Sequence, residues 1–162
     1  MKTQILSLEF GTQQNPKERC TNITPQIQQA VDDMKLFNGF IHVQVMHTTC
    51  GMALQEDEPC LFEDLFALLE WMAPADGHYK HDDFSVRTKN LDENRKERKN
   101  GYAHLRALLL QQVLLLRVES GKLCLGTWQQ VLLFDFDAVE QFQMRKIYVS
   151  AMHQPMMFSE GK

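Results

Sequence analysis

Apolar and polar residues alternate along several short stretches of this chain, and such alternation is typical of strands with one buried face. Near the N-terminus, Leu6, Leu8 and Phe10 fall on one side, with Ser7 and Glu9 between them. This stretch predicts a strand over residues 3–10. The same pattern predicts further strands at residues 40–46, 52–54, 113–118, 123–125, 130–136 and 144–149.

Three other segments repeat apolar residues every three or four positions, which indicates amphipathic helices. The first is predicted to begin at Thr24–Pro25, where threonine can cap the helix, and to end at Asn38–Gly39. The second is predicted to end at Ala73–Pro74, and the third spans residues 102–110. Strands at both ends of the chain with helices between them predict a single α+β domain over residues 1–162.

The composition excludes several classes of partner. The 17 basic and 21 acidic residues give a formal net charge of −4, so we expect no nucleic-acid partner. No apolar run approaches the roughly 18 residues that a membrane span needs, so we expect no membrane association. The four cysteines form no CxxC pair, and the segment after Met1 does not resemble a secretory signal. These features predict a reduced, cytoplasmic protein.

Two segments show no regular pattern. Residues 87–99 carry charges of both signs without apolar periodicity, which predicts a solvated loop or a partly helical flap. The tail, about residues 151–162, is unusually apolar for a chain end. It either covers a neighbouring subunit or is disordered.

The first of four polar clusters, HTT, directly follows a predicted strand and consists of His47, Thr48 and Thr49. Threonine hydroxyls and free backbone N–H groups can hold an anion at such a position. His47 can ligate a metal or transfer a proton. The alternative is a β-bend whose hydroxyls satisfy nearby backbone groups.

The second and third clusters lie in and after the irregular region. The motif YKHDD, residues 79–83, places His81 beside carboxylates, which suits a metal or acid–base site, although charged surface loops often contain such strings. The motif NGYAHLR, residues 100–106, leads into a helix whose first turn carries His104 beside free N–H groups, while Arg106 can hold phosphate. The alternative for His104 is a core histidine bonded to a carbonyl.

The fourth cluster, GTWQ, precedes a predicted strand. Trp128 offers a flat apolar wall and Gln129 an amide that both donates and accepts, which suits a heteroaromatic ring. A tryptophan packed in the core explains the motif equally well. Taken singly, each of the four clusters is compatible with a structural role.

The order of the motifs is more informative than any one of them. From about Thr3 to about Ser150 the chain carries in turn HTTCG, an acidic run at residues 56–58, YKHDD, NGYAHLRALLL, GKLCLGTWQ and a final charged strand. This series closely resembles that of the YjbQ-type family, small proteins commonly described as secondary thiamine-phosphate synthases. The resemblance implies a compact α+β fold with packed, mostly antiparallel sheets, assembled as a homotrimer with sites near the subunit interfaces.

Matched motif by motif, the resemblance also implies a set of site residues. The predicted catalytic residues are His47, His81, His104, Glu56 and Asp82. The predicted substrate-binding residues are Thr48, Thr49, Trp128 and Gln129 from this matching, together with Lys80 and Arg106, whose positive charges can meet phosphate. Because three neutral imidazoles suit an open metal site, the predicted ligands of a divalent metal, zinc or magnesium, are His47, His81 and His104.

The resemblance favours an enzyme that joins an aminopyrimidine diphosphate to a thiazole phosphate and releases pyrophosphate. Histidines beside carboxylates suggest an alternative, a metal-dependent hydrolase of a small phosphorylated metabolite. The apolar tail and the charged segment suggest another, a non-catalytic trimeric binding protein. The chain departs from the family pattern at residues 84–99, which are longer than in compact members. It departs again at residues 135–142, which replace an arginine-rich segment for which Arg145 is a partial substitute.

Overall fold

The computed structural model describes residues 3–10, 20–91, 97–137 and 143–153. Over these residues it contains three α-helices and two antiparallel sheets in one compact domain, which confirms the predicted α+β class. The strands are β1 (Thr3–Phe10), β2 (Cys20–Asn22), β3 (Gly39–Val45), β4 (Cys50–Gln55), β5 (Val113–Glu119), β6 (Lys122–Leu123), β7 (Gln130–Asp135) and β8 (Gln143–His153). The helices are α1 (Thr24–Asp33), α2 (Pro59–Met72) and α3 (Gly101–Leu108), and a 3-10 turn spans Lys80–Asp82.

The two sheets differ in how they are buried. The large sheet has the strand order β1-β8-β3-β5-β6, and the small sheet has the order β2-β7-β4. Burial alternates along β5, where Leu114 is buried between exposed Val113 and exposed Leu115, so this part of the large sheet has one open face. Along β7 every residue from Val131 to Asp135 is buried, so the small sheet lies in the interior.

The side chains of β7 reach two hydrophobic cores. Val131 and Leu133 pack on one face of the small sheet, in a core shared with α1 and the large sheet. Leu132 and Phe134 pack on the other face against α2 and α3, and the ring of Phe134 meets that of Phe62 at a centroid distance of 6.2 Å. The small sheet is therefore a middle layer between the large sheet and the two helices.

The predicted strands are confirmed, with differences at their ends. The strand predicted at residues 144–149 extends to His153, because β8 pairs with β3 as far as Gly39. The strand predicted at residues 123–125 is the short Lys122–Leu123. The sequence pattern does not predict β2, because three residues are too few to show a period.

The start of α1 differs from the predicted cap. Thr24 is the first residue of the helix, and its hydroxyl accepts a hydrogen bond from the Val131 N–H at 2.7 Å. The side chain of Asn22 accepts from the Thr24 N–H at 3.0 Å. The threonine hydroxyl thus joins α1 to β7, and α1 ends at Asp33, before the predicted stop.

The two segments without a regular pattern are only partly described. In the charged segment, residues 92–96 lie outside the described residues, and so do residues 154–162 of the apolar tail. Residues 151–153, which we predicted as the beginning of the tail, belong to β8. Among the described residues no helix has the length and apolar character needed to cross a membrane.

Candidate active site

The HTT motif forms the corner between β3 and β4. The Nε2 atom of His47 accepts a hydrogen bond from the backbone N–H of Lys146 at 3.0 Å, which ties the corner to β8. Thr49 is buried, and its carbonyl accepts from the Phe136 N–H at 3.1 Å, which ties the corner to the end of β7. Thr48, between them, is exposed. The corner is thus fixed to both sheets.

The start of α3 is held by the 3-10 turn. One carboxylate oxygen of Asp82 accepts from the backbone N–H groups of Asn100 and Gly101, at 3.1 and 2.9 Å. Such groups at a helix start have no partner within the helix. A Cβ on residue 101 would lie 2.7 Å from the Cβ of Tyr79, so glycine is what allows α3 to approach the turn this closely. Asp82, which we predicted as catalytic, therefore caps α3 in the structure.

This approach brings His81 of the turn beside His104 of α3. The two ring centroids are 4.6 Å apart, and the ring planes are inclined by 59°. Both side chains are half-buried. They line a cavity of about 260 Å³, whose other lining residues are Tyr79, Lys80, Gly101 and Leu105. Two of the three predicted catalytic histidines, and the predicted Lys80, therefore share one cavity.

The contacts of the two rings determine which ring nitrogens are available. Nη1 of Arg87 lies 3.2 Å from Nε2 of His81. Because a guanidinium only donates, this Nε2 accepts, and the proton of neutral His81 is on Nδ1. The ring of His104 hydrogen-bonds to the backbone of Thr48, where the carbonyl is the acceptor, so its other nitrogen carries a lone pair in the neutral ring. The pair therefore offers an N–H on one ring and an acceptor on the other.

The surroundings of His104 favour its neutral form. Burial lowers the pKa of His104 below its ordinary value, and the neighbouring His81 and Arg87 lower it further. The Asp137 carboxylate and the hydrogen bond to Thr48 act in the opposite direction but do not cancel the effect on this pKa. At neutral pH the His104 ring is therefore uncharged and can accept a proton.

Two buried carboxylates at the end of β7 have no role assigned from the sequence. Asp135 is fully buried and binds Arg145 through both oxygens, at 2.6 and 3.0 Å. Asp137 accepts from Arg98 at 2.6 Å and from the side-chain amide of Asn100 at 2.9 Å. Arg145, the partial substitute for the arginine-rich segment of the family, is thus committed to an internal ion pair. Acidic residues alternating with phenylalanine directly after a buried strand are the sequence signal that could have found these carboxylates.

Arg106 does not face the cavity, which corrects its prediction as a phosphate-binding residue. It is 2% exposed, donates to the Ala73 carbonyl from Nε and Nη2 at 2.9 and 2.8 Å, and forms an ion pair with Glu70. Its guanidinium also lies 5.0 Å from the centre of the Tyr102 ring. At about 100° per residue, His104 and Arg106 point to nearly opposite sides of α3. Arg106 therefore joins α3 to the end of α2.

Three further predicted site residues lie at the opposite end of the small sheet; they are Glu56, Trp128 and Gln129. They adjoin Gln55 of β4 and Gln130 of β7, which pair with each other. At about 3.3 Å per residue, this end of β7 is roughly 17 Å from Asp135. Trp128 is 70% exposed and is not a core residue. Within one chain these three residues do not meet the histidine pair.

The described residues do not form the predicted three-histidine metal centre. Among them there is no group of three or more histidine, cysteine, aspartate or glutamate side chains that could hold a metal ion. His47 uses its Nε2 atom to accept from Lys146, and burial, together with the nearby Arg145 cation, lowers the pKa of His47. We derive no step through a metal, and the zinc or magnesium cofactor and the metal-dependent hydrolase remain predictions.

A larger cleft of about 570 Å³ adjoins the histidine cavity, and Tyr79 lines both. Its charged and aromatic lining includes Asp76, Asp83, Phe84 and Lys99. Small-molecule sites in proteins commonly have a volume of about 300–1,000 Å³. This cleft is by itself large enough for a substrate bigger than a single ring.

Comparison with known proteins identifies the family of the chain. The family described as UPF0047 protein YjbQ-like matches residues 8–154. A UPF0047 protein of Archaeoglobus fulgidus is 35% identical over 131 residues, which cover 81% of this chain and 89% of the relative. A hypothetical protein of Aeropyrum pernix K1 has a similar fold, with a TM-score of 0.75 and 24% identity over 95% of this chain and 100% of the other. An uncharacterised YjbQ/UPF0047 protein of Clostridium acetobutylicum gives a TM-score of 0.72 and 26% identity, with 92% and 99% covered. The chain therefore belongs to the YjbQ-like, or UPF0047, family.

Proposed function

We propose that this chain is an enzyme that acts on a small phosphorylated substrate at the cavity beside His81 and His104. The observation that carries the proposal is the complementary pair of rings, 4.6 Å apart, with an N–H on His81 and a lone pair on His104. Two such groups in one cavity can bind a substrate by donating and accepting, and can transfer a proton. The exposed Lys80 at the same cavity adds a positive charge that suits phosphate.

The specific reaction we propose resembles thiamine-phosphate synthesis. The C–O bond between the methylene group of the aminopyrimidine and its diphosphate breaks, and the electron pair leaves with pyrophosphate. The lone pair of the thiazole nitrogen then forms the new C–N bond. The His81 N–H and the Lys80 ammonium stabilise the departing diphosphate. The His104 lone pair accepts a hydrogen bond from the amino group of the pyrimidine, which strengthens electron donation from the ring as the diphosphate leaves.

A turnover assay with purified chain tests this proposal. Aminopyrimidine diphosphate and thiazole phosphate are incubated with the wild type, and thiamine phosphate and pyrophosphate are quantified by chromatography. We expect equal amounts of both products from the wild type and none from His81→Ala/His104→Ala. The matched control is His153→Ala, since this exposed residue lies opposite Gly39, at the far end of β8 from Lys146. Wild-type activity no higher than that of the double variant would contradict the proposed reaction.

We also propose that the site is completed by assembly of the chain as a homotrimer. Glu56, Trp128 and Gln129 lie at the far end of the small sheet from the histidine pair, so one chain alone does not unite the predicted site. Large apolar side chains are exposed on the helical layer, with Trp71 81% and Leu108 74% accessible. Exposed apolar surface of this kind is typical of an interface between proteins. In a closed ring, one end of each small sheet can meet the histidine pair of the next subunit.

Mixed assemblies test whether the site is shared between subunits. His104→Ala and Trp128→Ala are each expected to be inactive and to have the mass of three chains by light scattering. Equal mixing with subunit exchange is expected to restore activity at about a quarter of the sites, because each restored site takes its histidines from one variant and Trp128 from the other. A mixture that stays inactive would show that Trp128 acts within its own subunit or has no role. An assembled but inactive His104→Ala would also argue against a purely scaffolding protein.

We further propose a cytoplasmic location. None of the four cysteines forms a disulfide bond, and Cys60 and Cys124 are exposed. Exposed thiols that are not oxidised to disulfides are typical of reducing compartments.

A further inference from the structure

Asp137, just after the end of β7, has an unusual set of contacts. Its side chain is 4% exposed. Its Oδ2 atom accepts from Arg98 at 2.6 Å and from the Asn100 amide at 2.9 Å. Its Oδ1 atom is buried and has no hydrogen-bond partner in the part of the chain that the structure describes. Both side-chain partners of Oδ2 lie just before the first residue of α3, so this carboxylate links the end of β7 to the start of that helix.

The contacts of Asp137 lead to His104 through the start of α3. Asn100, which Asp137 binds, is the residue just before the helix, and its carbonyl accepts from the backbone N–H groups of Ala103 and His104 at 2.9 and 3.3 Å. Asn100 therefore closes the turn that carries His104. A carboxylate that holds Asn100 also holds the backbone of the catalytic histidine.

A second connection runs through the HTT corner. Phe136, next to Asp137 in the chain, donates its backbone N–H to the Thr49 carbonyl at 3.1 Å. Thr48, next to Thr49, is the residue whose backbone binds the His104 ring. The end of β7 thus contacts both elements that hold His104. Asn100 binds the backbone of His104, and the HTT corner binds its ring.

We propose that Asp137 is a positioning residue for His104, which it orients through Asn100. The catalytic meaning of this role rests on the proposed function. The effect on the position of the His104 backbone does not, and it can be measured without a substrate.

Hydrogen exchange of backbone amides, followed by nuclear magnetic resonance, tests the proposal without a substrate. Asp137→Ala removes the acceptor that holds the Asn100 side chain. The His104 amide, which donates to the Asn100 carbonyl, is therefore expected to exchange about tenfold faster than in the wild type. Asp137→Asn keeps an oxygen acceptor for Asn100 and is expected to keep most of this protection. The matched control is Arg98→Gln, which removes the other side-chain partner of Asp137 from a side chain that is 43% exposed and is expected to leave the exchange of the His104 amide nearly unchanged.

The turnover assay separates this proposal from the proposed function. If the wild type is active, Asp137→Ala is expected to lower kcat by about ten- to a hundredfold with a smaller change in KM, as for partners that orient a functional imidazole, and Asp137→Asn is expected to recover most of this loss. Faster exchange of the His104 amide in Asp137→Ala, but not in Asp137→Asn or Arg98→Gln, supports the positioning role even if the wild type does not turn over these substrates. An unchanged exchange rate of this amide in Asp137→Ala overturns the positioning role, whatever the turnover.

Discussion

Replacing Asp135 with alanine is expected to lower the free energy of unfolding by about 3–5 kcal/mol. Asp135 is fully buried and binds both Nε and Nη2 of Arg145. Arg145 is itself only 6% exposed, and after the substitution its remaining described contact is the Asp137 carbonyl at 3.5 Å. The variant therefore leaves a guanidinium charge buried without its counterion. Urea unfolding followed by circular dichroism, at one protein concentration, measures the loss.

Two comparisons show whether the loss comes from the unpaired charge. Glu119→Ala removes a carboxylate that is 55% exposed and paired with Arg117 on the surface, so we expect it to cost less than about 1 kcal/mol. Asp135→Leu/Arg145→Met removes both charges and is expected to recover much of the stability lost in Asp135→Ala. A cost for Asp135→Ala as small as that of Glu119→Ala would contradict the buried ion pair.

Replacing His104 with alanine is expected to lower kcat/KM in the proposed reaction by about 10²- to 10³-fold, the usual loss when one preorganised hydrogen-bonding group that stabilises a transition state is removed. The wild type should also show a characteristic pH dependence. Because the pKa of His104 lies below its ordinary value, activity that needs the lone pair should persist as the pH falls through the range where an ordinary histidine is protonated, and should decline only at lower pH. Steady-state rates from mildly acidic to mildly alkaline pH measure both effects.

The same assay on His153→Ala controls for the loss of an imidazole from the chain. His153 is exposed at the end of β8, so this variant should keep the wild-type rate and pH profile. Urea unfolding of His104→Ala checks that the variant is folded under assay conditions. A folded His104→Ala that retains activity within about tenfold of the wild type would exclude the proposed hydrogen bond from the pyrimidine amino group to His104.

Local patterns were sufficient to predict most of the fold. Alternation predicts β3 and β5 because each has one buried side, as the exposed and buried residues along β5 show. The predicted end of α2 at Ala73–Pro74 is confirmed, because the proline ring disfavours the helical conformation of the residue before it. In β7 all residues from Val131 to Asp135 are buried, and the apolar run there predicts a strand. Because both faces of this strand are apolar, its sequence shows no alternation from which the two separate cores could be predicted.

The site was less predictable, because it depends on register and on the faces of helices. The sequence order puts Trp128 and Asp135 in one region, but the extended strand between them separates them by about 20 Å. Arg106 follows the predicted His104 closely in the chain, yet the helical period turns it towards Ala73. Asp137 could not be connected with His104 from sequence, because their link passes through Asn100, 37 residues away.

The position of β7 between the two cores has a consequence for the dynamics of the site. Helix α3, which carries His104, packs on a strand whose opposite face supports the large sheet. Opening of the helical layer would expose the core between the helices and the small sheet, whereas the core between the two sheets would stay closed. Amide protons along β7 are therefore expected to exchange with solvent only when the whole molecule unfolds. The helix that carries His104 thus packs on the strand that is expected to open last.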